Sequence, residues 1–396
     1  MIRRAGNLVF ASGELASDGR NGVAPEAQID PAFPYYGSSI KKQTRYILQT
    51  LKAEFEAAGT SMEHVVKAHV FQADLRNFHA FDEAWHEFFP TKPPCRATVG
   101  IAGLCVPGCL LEVDLTATTP SAPGHVYNSA APRAPVNYSE AIQTGDFVFA
   151  AGLMASDYKT GVPAEAKVDP AFPYYGSDIK KQTRYILQNF ETVFSAAGTS
   201  LAHVVKAHVY LKDLYTFNAF DEVWREFFPK PPPRTTVGVP DLLVRDALVE
   251  VDLIAVRPSV TCEVVQVPDI PMPLANYAPA VRAGGLVFAA GALATDFKTG
   301  VAPEARIHPA FPYYGSAIKR ETRFVLDNLV KTFRAAGTSL DRVIKAQVFL
   351  TEMSDFYGFD EVWQEFFPEP VPRTVLKTTG LLIKDNLIEI DLIAEA

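Results

Sequence analysis

The octapeptide PAFPYYGS begins at Pro31, Pro170 and Pro309, so that 139 residues separate each occurrence from the next. Two further motifs repeat along the chain: F-D-E-x-W-x-E-F-F-P contains Trp85, Trp224 and Trp363, and V-F-A-[SA] precedes Gly13, Gly152 and Gly291. Solenoid repeats are about 20–50 residues long, whereas a period of this length matches a whole domain with its own core. The sequence therefore predicts three copies of one domain.

The predicted copies span residues 1–119, 134–258 and 271–396 of the 396-residue chain. The intervening segments 121–135 and 260–273 contain proline and lack helical periodicity, which is typical of linkers. Met1 aligns with Glu140 of copy two. Copy one therefore either lacks the first strand of the other copies or has its natural start upstream of Met1.

The composition excludes several classes of partner. Lysine and arginine number 37 against 45 acidic residues, a net charge of −8, and no basic cluster is present, so we expect no nucleic-acid partner. No stretch approaches the roughly 18 consecutive apolar residues of a membrane span. Four cysteines in a chain of this length do not form a disulfide framework, so we expect a cytoplasmic protein.

Two helices are predicted in each copy. In copy one, the first begins after the capping residue Ser38 and ends at Gly59. Its apolar face carries Ile40, Ile47, Leu51 and Phe55. The second is predicted to be capped by Asn77 and to end at Pro90. Its aromatic stripe, predicted to belong to the core, consists of Phe78, Phe81, Trp85 and Phe88.

The remaining segments of each copy have strand patterns. V-V-K-A-H-V-F alternates β-branched residues, and C-R-A-T-V-G-I is predicted to form a hairpin with L-L-E-V-D-L. These elements predict an α+β sandwich in which two helices cover one face of a sheet. Packing of the three free sheet faces around a pseudo-threefold axis would cover the other face.

The last strand carries the candidate chemistry. Glu112 and Asp114 point to the same face, away from the core and toward the neighbouring copies. Arg96 precedes Glu112 by 16 residues, so the predicted hairpin would bring them together. Arginine binds carboxylates in a forked geometry, and glutamate can orient or deprotonate water. The alternative is a buried ion pair that sets the register of the interface.

Other catalytic constellations are not supported. His69 and His208 correspond to Gln347 in copy three, so a histidine mechanism common to all copies is not expected, and these histidines are predicted to lie on the sheet surface. Cys105 and Cys109 have no counterparts in the other copies and no second cysteine pair to complete a zinc site. We therefore expect neither a metal nor a cofactor.

The motifs resemble those of the Rid family (YjgF-type, also labelled L-PSP endoribonuclease). The resemblance covers nearly the whole chain three times and rests on V-F-A-[SA]-G, A-A-G-T-S, E-F-F-P, P-R-T-T-V-G-V and L-V-E-V-D-L-I-A. It implies three tandem chorismate-mutase-like α+β domains that form an intramolecular pseudo-trimer with clefts at the interfaces. Active members of the family hydrolyse enamines and imines to 2-oxo acids and ammonia.

The resemblance also implies roles for particular residues. The family's carboxylate-binding arginine corresponds to Arg96, Arg234 and Arg373, its water-positioning glutamate to Glu112, Glu250 and Glu389, and its tyrosine to Tyr138 and Tyr277. The position two residues after the arginine, often cysteine in the family, is Thr98, Thr236 and Val375. If a cleft joins one copy's Arg/Glu pair to a neighbour's tyrosine, at most two of the three clefts have the full set.

The expected function is hydrolysis of a small carboxylate-bearing enamine or imine, with 2-aminomuconate-type ring-cleavage products as one substrate class. The alternatives are a lyase, isomerase or other hydrolase acting in the same cleft, and a non-catalytic binder of small carboxylates. The ribonuclease label is disfavoured, because an acidic chain without a basic groove is a poor ligand for RNA. The FPYYG segment is predicted to form a structural flap rather than an aromatic substrate wall. The fused chain could also oligomerise further.

Overall fold

The computed structural model describes residues 1–20 and 22–396. Copy one consists of β1 (Ile2–Ala5), β2 (Leu8–Ala11), β3 (Glu14–Leu15), α1 (Ser39–Ala57), β4 (Val65–Gln72), α2 (Phe78–Phe88), β5 (Cys95–Gly100), β6 (Gly103–Leu104) and β7 (Leu111–Thr118). Copy two consists of β8 (His125–Tyr127), β9 (Ala141–Thr144), β10 (Phe147–Ala150), β11 (Leu153–Met154), α3 (Asp178–Ala196), β12 (Val204–Leu211), α4 (Phe217–Phe227), β13 (Arg234–Gly238) and β14 (Val249–Val256). Copy three consists of β15 (Glu263–Val265), β16 (Ala280–Ala283), β17 (Leu286–Ala289), β18 (Ala292–Leu293), α5 (Ala317–Ala335), β19 (Val343–Leu350), α6 (Phe356–Phe366), β20 (Arg373–Lys377), β21 (Gly380–Leu381) and β22 (Ile388–Glu395).

Each copy forms one sheet with the same central strand order. The order is β2-β7-β4-β5 in copy one, β10-β14-β12-β13 in copy two and β17-β22-β19-β20 in copy three. The predicted closing hairpin is wrong, because β4 lies between β5 and β7. The chain reaches β5 through α2, and this crossover places β5 parallel to β4 at the sheet edge. The other edge of β4 is then left for β7.

The predicted helices are confirmed, with one difference in capping. The hydroxyl of Ser38 accepts a hydrogen bond from the Lys41 N–H at the start of α1, and Gly59 follows the helix with a φ of +78°. Asn77 makes no capping hydrogen bond at α2. A single 3-10 turn precedes that helix, and Asp74 accepts a hydrogen bond from the Arg76 N–H at its start. No helix in the described ranges is long and apolar enough to cross a lipid bilayer.

The segments predicted as linkers are partly strands. Strand β8, in segment 121–135, pairs with β9, and β15, in segment 260–273, pairs with β16, so each adds an edge strand to the following sheet. In the part of copy one that the structure describes, no strand corresponds to β8 or β15. The domain limits 1–119, 134–258 and 271–396 therefore remain a prediction, because sheet pairing extends beyond them.

Strand pairing also joins the three copies in a closed ring. β6 of copy one pairs with β20 of copy three, and β21 of copy three pairs with β13 of copy two. Between copies one and two the same contact is a single bridge from Val99 to Leu242. Each copy thus extends the sheet of the copy before it, and the free sheet faces meet around a pseudo-threefold axis.

Buried ion pairs connect the copies near this axis. Lys67 of copy one pairs with Asp252 of copy two, Lys206 of copy two with Asp391 of copy three, and Lys345 of copy three with Asp114 of copy one. All six side chains are buried. The aspartates lie on the sheet face that the sequence predicted to meet neighbouring copies, so that prediction is confirmed.

The histidines belong to the same interface. Nε2 of His69 lies 2.7 Å from Oδ2 of Asp252, and Nε2 of His208 lies 2.9 Å from Oδ2 of Asp391. Both histidines are on the sheet face as predicted, but they are buried between copies. Burial lowers the pKa of His69 to about 4, which keeps the ring neutral. Ligand atoms of His69, His208 and Asp252 lie within 4.8 Å of one another. A metal cation there would compete with the Lys67 ammonium for Asp252, so we assign the cluster to the interface.

Lys206→Met should lower the free energy of unfolding by about 3–5 kcal/mol, because Asp391 would remain buried without its ammonium partner. Urea unfolding measures the change. The matched control is Lys180→Met, since Lys180 pairs with Glu222 at the surface and such pairs contribute less than about 1 kcal/mol. Equal losses in the two variants would contradict a stabilising role for the buried pair.

Candidate functional site

Two interface clefts contain the residues that the sequence singled out. Cleft A, about 270 Å³, is lined by Arg96 and Thr98 of copy one and by Tyr138, Gly152 and Glu250 of copy two. Cleft B, about 440 Å³, is lined by Arg234 and Thr236 of copy two and by Tyr277, Gly291 and Glu389 of copy three. The same residue types thus meet at two successive interfaces.

The arginine and glutamate of a cleft come from different copies. Arg96 was expected to meet Glu112 of its own copy, but it faces Glu250 of copy two. The reason is the strand order: β5 is an edge strand separated from β7 by β4, so its arginine meets the next copy. Arg96 therefore does not share a cleft with Glu112, and Arg234 does not share one with Glu250.

The third interface brings Arg373 of copy three toward Glu112 of copy one. The N–H of Gly13 donates to the carbonyl of Arg373 at 3.2 Å, and the N–H of Val375 donates to Glu112. Arg373 is more exposed than its counterparts, and Cys105 lies beside this site with its thiol 3.3 Å from the Val375 carbonyl. Burial raises the pKa of Cys105 to about 12, so it remains a thiol.

Each arginine is held by its own copy. Nη2 of Arg96 donates to Asp82 at 2.7 Å, and the guanidinium lies over the rings of Phe78, Phe81 and Trp85 at 5.2–5.4 Å. The predicted core stripe therefore also positions the arginine by cation–π contact. Arg234 and Arg373 have the same arrangement, with Asp221 and Asp360 as their partners at 2.8 Å.

Each glutamate is held against a glycine. A Cβ at Gly152 would lie 2.2 Å from Oε1 of Glu250, so any larger residue would displace the carboxyl group. A Cβ at Gly13 would lie 2.1 Å from Oε1 of Glu112, and a Cβ at Gly291 would lie 1.9 Å from Oε1 of Glu389. Thr98 of copy one donates its N–H to Glu250, and Gly152 donates its N–H to the Arg96 carbonyl. The close approach explains the repeated glycine of V-F-A-[SA]-G.

Both clefts contain buried polar atoms without a protein partner. Within the described chain, Nη1 of Arg96 and Oε2 of Glu250 in cleft A make no hydrogen bond. The same holds for Nη1 of Arg234 and Oε2 of Glu389 in cleft B. A buried polar group without a partner costs about 1–3 kcal/mol, so these atoms are suited to contact a polar ligand.

The glutamates are unusually weak acids. Burial and the neighbouring Asp252 raise the pKa of Glu250 to about 8, and burial and Asp391 raise the pKa of Glu389 to about 8. Burial also raises the pKa of Glu112 well above its ordinary value. A carboxyl group that is protonated near neutral pH can donate a proton as well as accept one.

A tyrosine also lines each of the two clefts, Tyr138 in cleft A and Tyr277 in cleft B. The hydroxyl of Tyr138 accepts the Ala134 N–H at 3.2 Å, and burial raises its pKa to about 12. Burial also raises the pKa of Tyr277. Both hydroxyl groups therefore stay protonated. In the described part of copy one, no tyrosine occupies the corresponding place beside Arg373.

Sequence reasoning missed two sets of residues. Asp82, Asp221 and Asp360 anchor the arginines, and their invariant place in the F-D-E-x-W repeats was the available signal. Tyr158 and Phe297 line clefts A and B, and their shared place in D-[YF]-K-T-G of copies two and three was the available signal. The FPYYG segment lines neither cleft, which agrees with the expectation that it is not an aromatic substrate wall. Its role as a structural flap stays a prediction, and Tyr35, Tyr174 and Tyr313 are 94–95% exposed.

Comparison with known proteins identifies the domain. The sequence model of the family described as Endoribonuclease L-PSP matches residues 2–119, 128–257 and 268–396. A RutC family protein of Pyrococcus horikoshii is 36% identical over 132 residues, which are 33% of this chain and 96% of that protein. Reactive Intermediate Deaminase A, chloroplastic, of Arabidopsis thaliana is 29% identical over 136 residues, 34% of this chain and 67% of that protein.

The whole-chain arrangement also has a structural counterpart. The crystal structure of a chorismatase superposes with a TM-score of 0.55 over 84% of this chain and 93% of that one, at 12% identity. This similarity shows a shared fold. Since the family model matches three successive segments that together cover most of the sequence, the chain belongs to the Rid (YjgF-type, L-PSP) family and carries three copies of its α+β domain.

Proposed function

We propose that the chain is an enamine/imine deaminase, a hydrolase that converts a small carboxylate-bearing enamine or imine into the 2-oxo acid and ammonia. One observation carries this proposal. Clefts A and B each contain a guanidinium nitrogen from one copy and a carboxyl oxygen from the next copy, and both atoms are buried without a hydrogen-bond partner. The name of the Arabidopsis relative supports the same reaction class.

The arginine binds the substrate carboxylate. In cleft A, Asp82 holds Nη2 of Arg96, which leaves Nη1 without a protein partner beside the cavity that Arg96 lines. A substrate carboxylate would supply the missing acceptor, and charge-assisted hydrogen bonds of this type are the strong ones. The aromatic rings beneath the guanidinium fix its plane, so the bound carboxylate has a defined orientation.

Glu250 then moves the protons. In its protonated form it donates to the terminal carbon of the enamine, which gives an iminium ion and a carboxylate. The carboxylate accepts a proton from water as the water oxygen bonds to the iminium carbon, and a carbinolamine forms. The carboxyl group next protonates the amine, the C–N bond breaks with loss of ammonia, and the carbinol proton returns to the carboxylate. One group with a pKa of about 8 suffices for each of these transfers.

The tyrosine stabilises the addition product. The oxygen of Tyr138 already accepts the Ala134 N–H, so its own proton is free for the carbinolamine oxygen. The apolar cleft walls lower the local dielectric, which strengthens this hydrogen bond and excludes competing water. Cleft B has the same set in Arg234, Glu389 and Tyr277, and its larger volume would admit 2-aminomuconate-type ring-cleavage products.

Pairs of substitutions test which residues share a cleft. All variants carry Glu112→Gln, so that only clefts A and B contribute. Combining Arg96→Ala with Glu250→Gln should lower activity no further than the more damaging single change, because both disable cleft A. Combining Arg234→Ala with Glu250→Gln disables both clefts and should lower activity about 10²-fold or more. Ammonia release from 2-aminoacrylate and 2-aminomuconates generated in situ measures each rate.

The matched control is Glu226→Gln, since Glu226 forms a surface pair with Arg184 away from both clefts and should leave the rate unchanged. If the parent chain binds 2-oxo acids but does not accelerate ammonia release, the proposed deaminase is wrong and the chain is a carboxylate binder. Consumption of a substrate without ammonia release would indicate a lyase or isomerase.

The pH profile tests the protonated glutamate. With enamine substrates, kcat/KM should be constant below about pH 8 and fall above it, because Glu250 and Glu389 lose the proton that the first step requires. Rates measured from pH 6 to pH 10 in stopped-flow mixing give the midpoint. An activity that rises through pH 8 would show that the carboxylate form is required and would contradict the proposed first step.

A further inference from the structure

One turn bears a different residue in each copy although its backbone is the same. Tyr158 and Phe297 both have a φ of +55°, and Gly19 occupies the corresponding position in copy one with a φ of +71°. The left-handed region is unfavourable for bulky side chains and costs glycine nothing. Copies two and three thus hold an aromatic residue where the backbone favours glycine.

The turn does not need the aromatic ring. In each copy a hydroxyl at the start of the turn accepts the N–H of this residue: Ser17 for Gly19, Ser156 for Tyr158 and Thr295 for Phe297. The next N–H is accepted by an aspartate, Asp18, Asp157 or Asp296. Because copy one keeps these hydrogen bonds with glycine, the rings are not required to form the turn.

The rings instead form the inner walls of the two clefts. Tyr158 lines cleft A beside Tyr138 and Glu250, and its oxygen accepts the N–H of Met154. Burial and these two neighbours raise its pKa, so the hydroxyl keeps its proton. Phe297 takes the same place in cleft B beside Tyr277 and Glu389 but has no hydroxyl.

The rest of the two inner walls is apolar. Leu243 and Val244 line cleft A where Leu382 and Ile383 line cleft B. At the exposed mouth, His79 of cleft A corresponds to Asn218 of cleft B. Cleft B is lined in addition by Asp221, which holds Arg234, and by the exposed Glu222 and Arg225, which are already paired with Lys180 and Asp221. The hydroxyl of Tyr158 is therefore the clearest chemical difference between the inner walls.

We propose that this position determines the substrate specificity of each cleft. Tyr158 donates a hydrogen bond to a polar substituent, such as a hydroxyl group, on the carbon chain of the imine bound in cleft A. Phe297 makes cleft B selective for apolar substituents of larger size, in line with its larger volume. This inference rests on the proposed function, which identifies the substrate as an imine. One chain would then process two classes of imine.

The experiment uses chains in which one cleft works at a time. In the chain that carries Glu112→Gln and Glu389→Gln, only cleft A remains active. In the chain that carries Glu112→Gln and Glu250→Gln, only cleft B remains active. An amino-acid oxidase generates the imines of threonine and valine, which differ by a hydroxyl in place of a methyl group. Tyr158→Phe in the first chain should lower the threonine-to-valine ratio of kcat/KM about tenfold, and Phe297→Tyr in the second should raise it by a similar factor.

Binding of the corresponding 2-oxo acids gives a readout that needs no turnover. In a chain with Arg234→Ala and Arg373→Ala, only cleft A keeps its carboxylate-binding arginine, and Tyr158→Phe is tested there. In a chain with Arg96→Ala and Arg373→Ala, only cleft B keeps its arginine, and Phe297→Tyr is tested there. Calorimetry should show the same shifts in the ratio of Kd values, with thermal unfolding confirming that each variant is folded. Unchanged ratios in both assays overturn the inference. Shifted Kd ratios in a chain that hydrolyses no imine uphold the inference and overturn only the proposed function.

Discussion

The buried lysine–aspartate pairs between copies are the constraint on which the rest of the structure depends. Lys206 has no access to solvent, and Asp391, its partner at 2.7 Å, belongs to the next copy. Neither charge is compensated unless the copies are in contact, and an isolated buried charge costs several kcal/mol. Since the three pairs run from copy one to two, two to three and three to one, all three can form together only in the closed ring.

The same strands place the candidate catalytic groups. Glu389 lies two residues before Asp391 on β22, so both side chains point to the interface. The ion pair that joins the copies thus directs Glu389 toward Arg234 of the preceding copy. The aspartate also supplies the negative charge that, after burial, raises the pKa of the glutamate most strongly. A structural pair and a candidate proton-transfer group are therefore coupled through one strand.

Much of this arrangement could be predicted from residue patterns, because it is local. The period of the repeats gave the copies, the helical spacing gave α1 and α2, and alternation along the last strand gave the interface face of Glu112 and Asp114. The partner of Arg96 could not be found in this way. A spacing of 16 residues favoured a hairpin within the copy, whereas the choice between β4 and β7 as the neighbour of β5 depends on the crossover through α2. The candidate residues were therefore identified one by one, but their cross-copy pairing was not.

The position occupied by Gly19, Tyr158 and Phe297 shows a second limit of sequence reasoning. The repeated D-[YF]-K-T-G of copies two and three contains it, but the left-handed backbone there appears only in the structure. A bulky residue in that conformation opposes the local preference of the chain, and such conflicts concentrate at functional sites. In a homotrimer one residue would have to serve all three interfaces, whereas a fused chain encodes each separately. Divergence at a single strained position can then give each cleft its own chemistry while the ion pairs that close the ring stay the same.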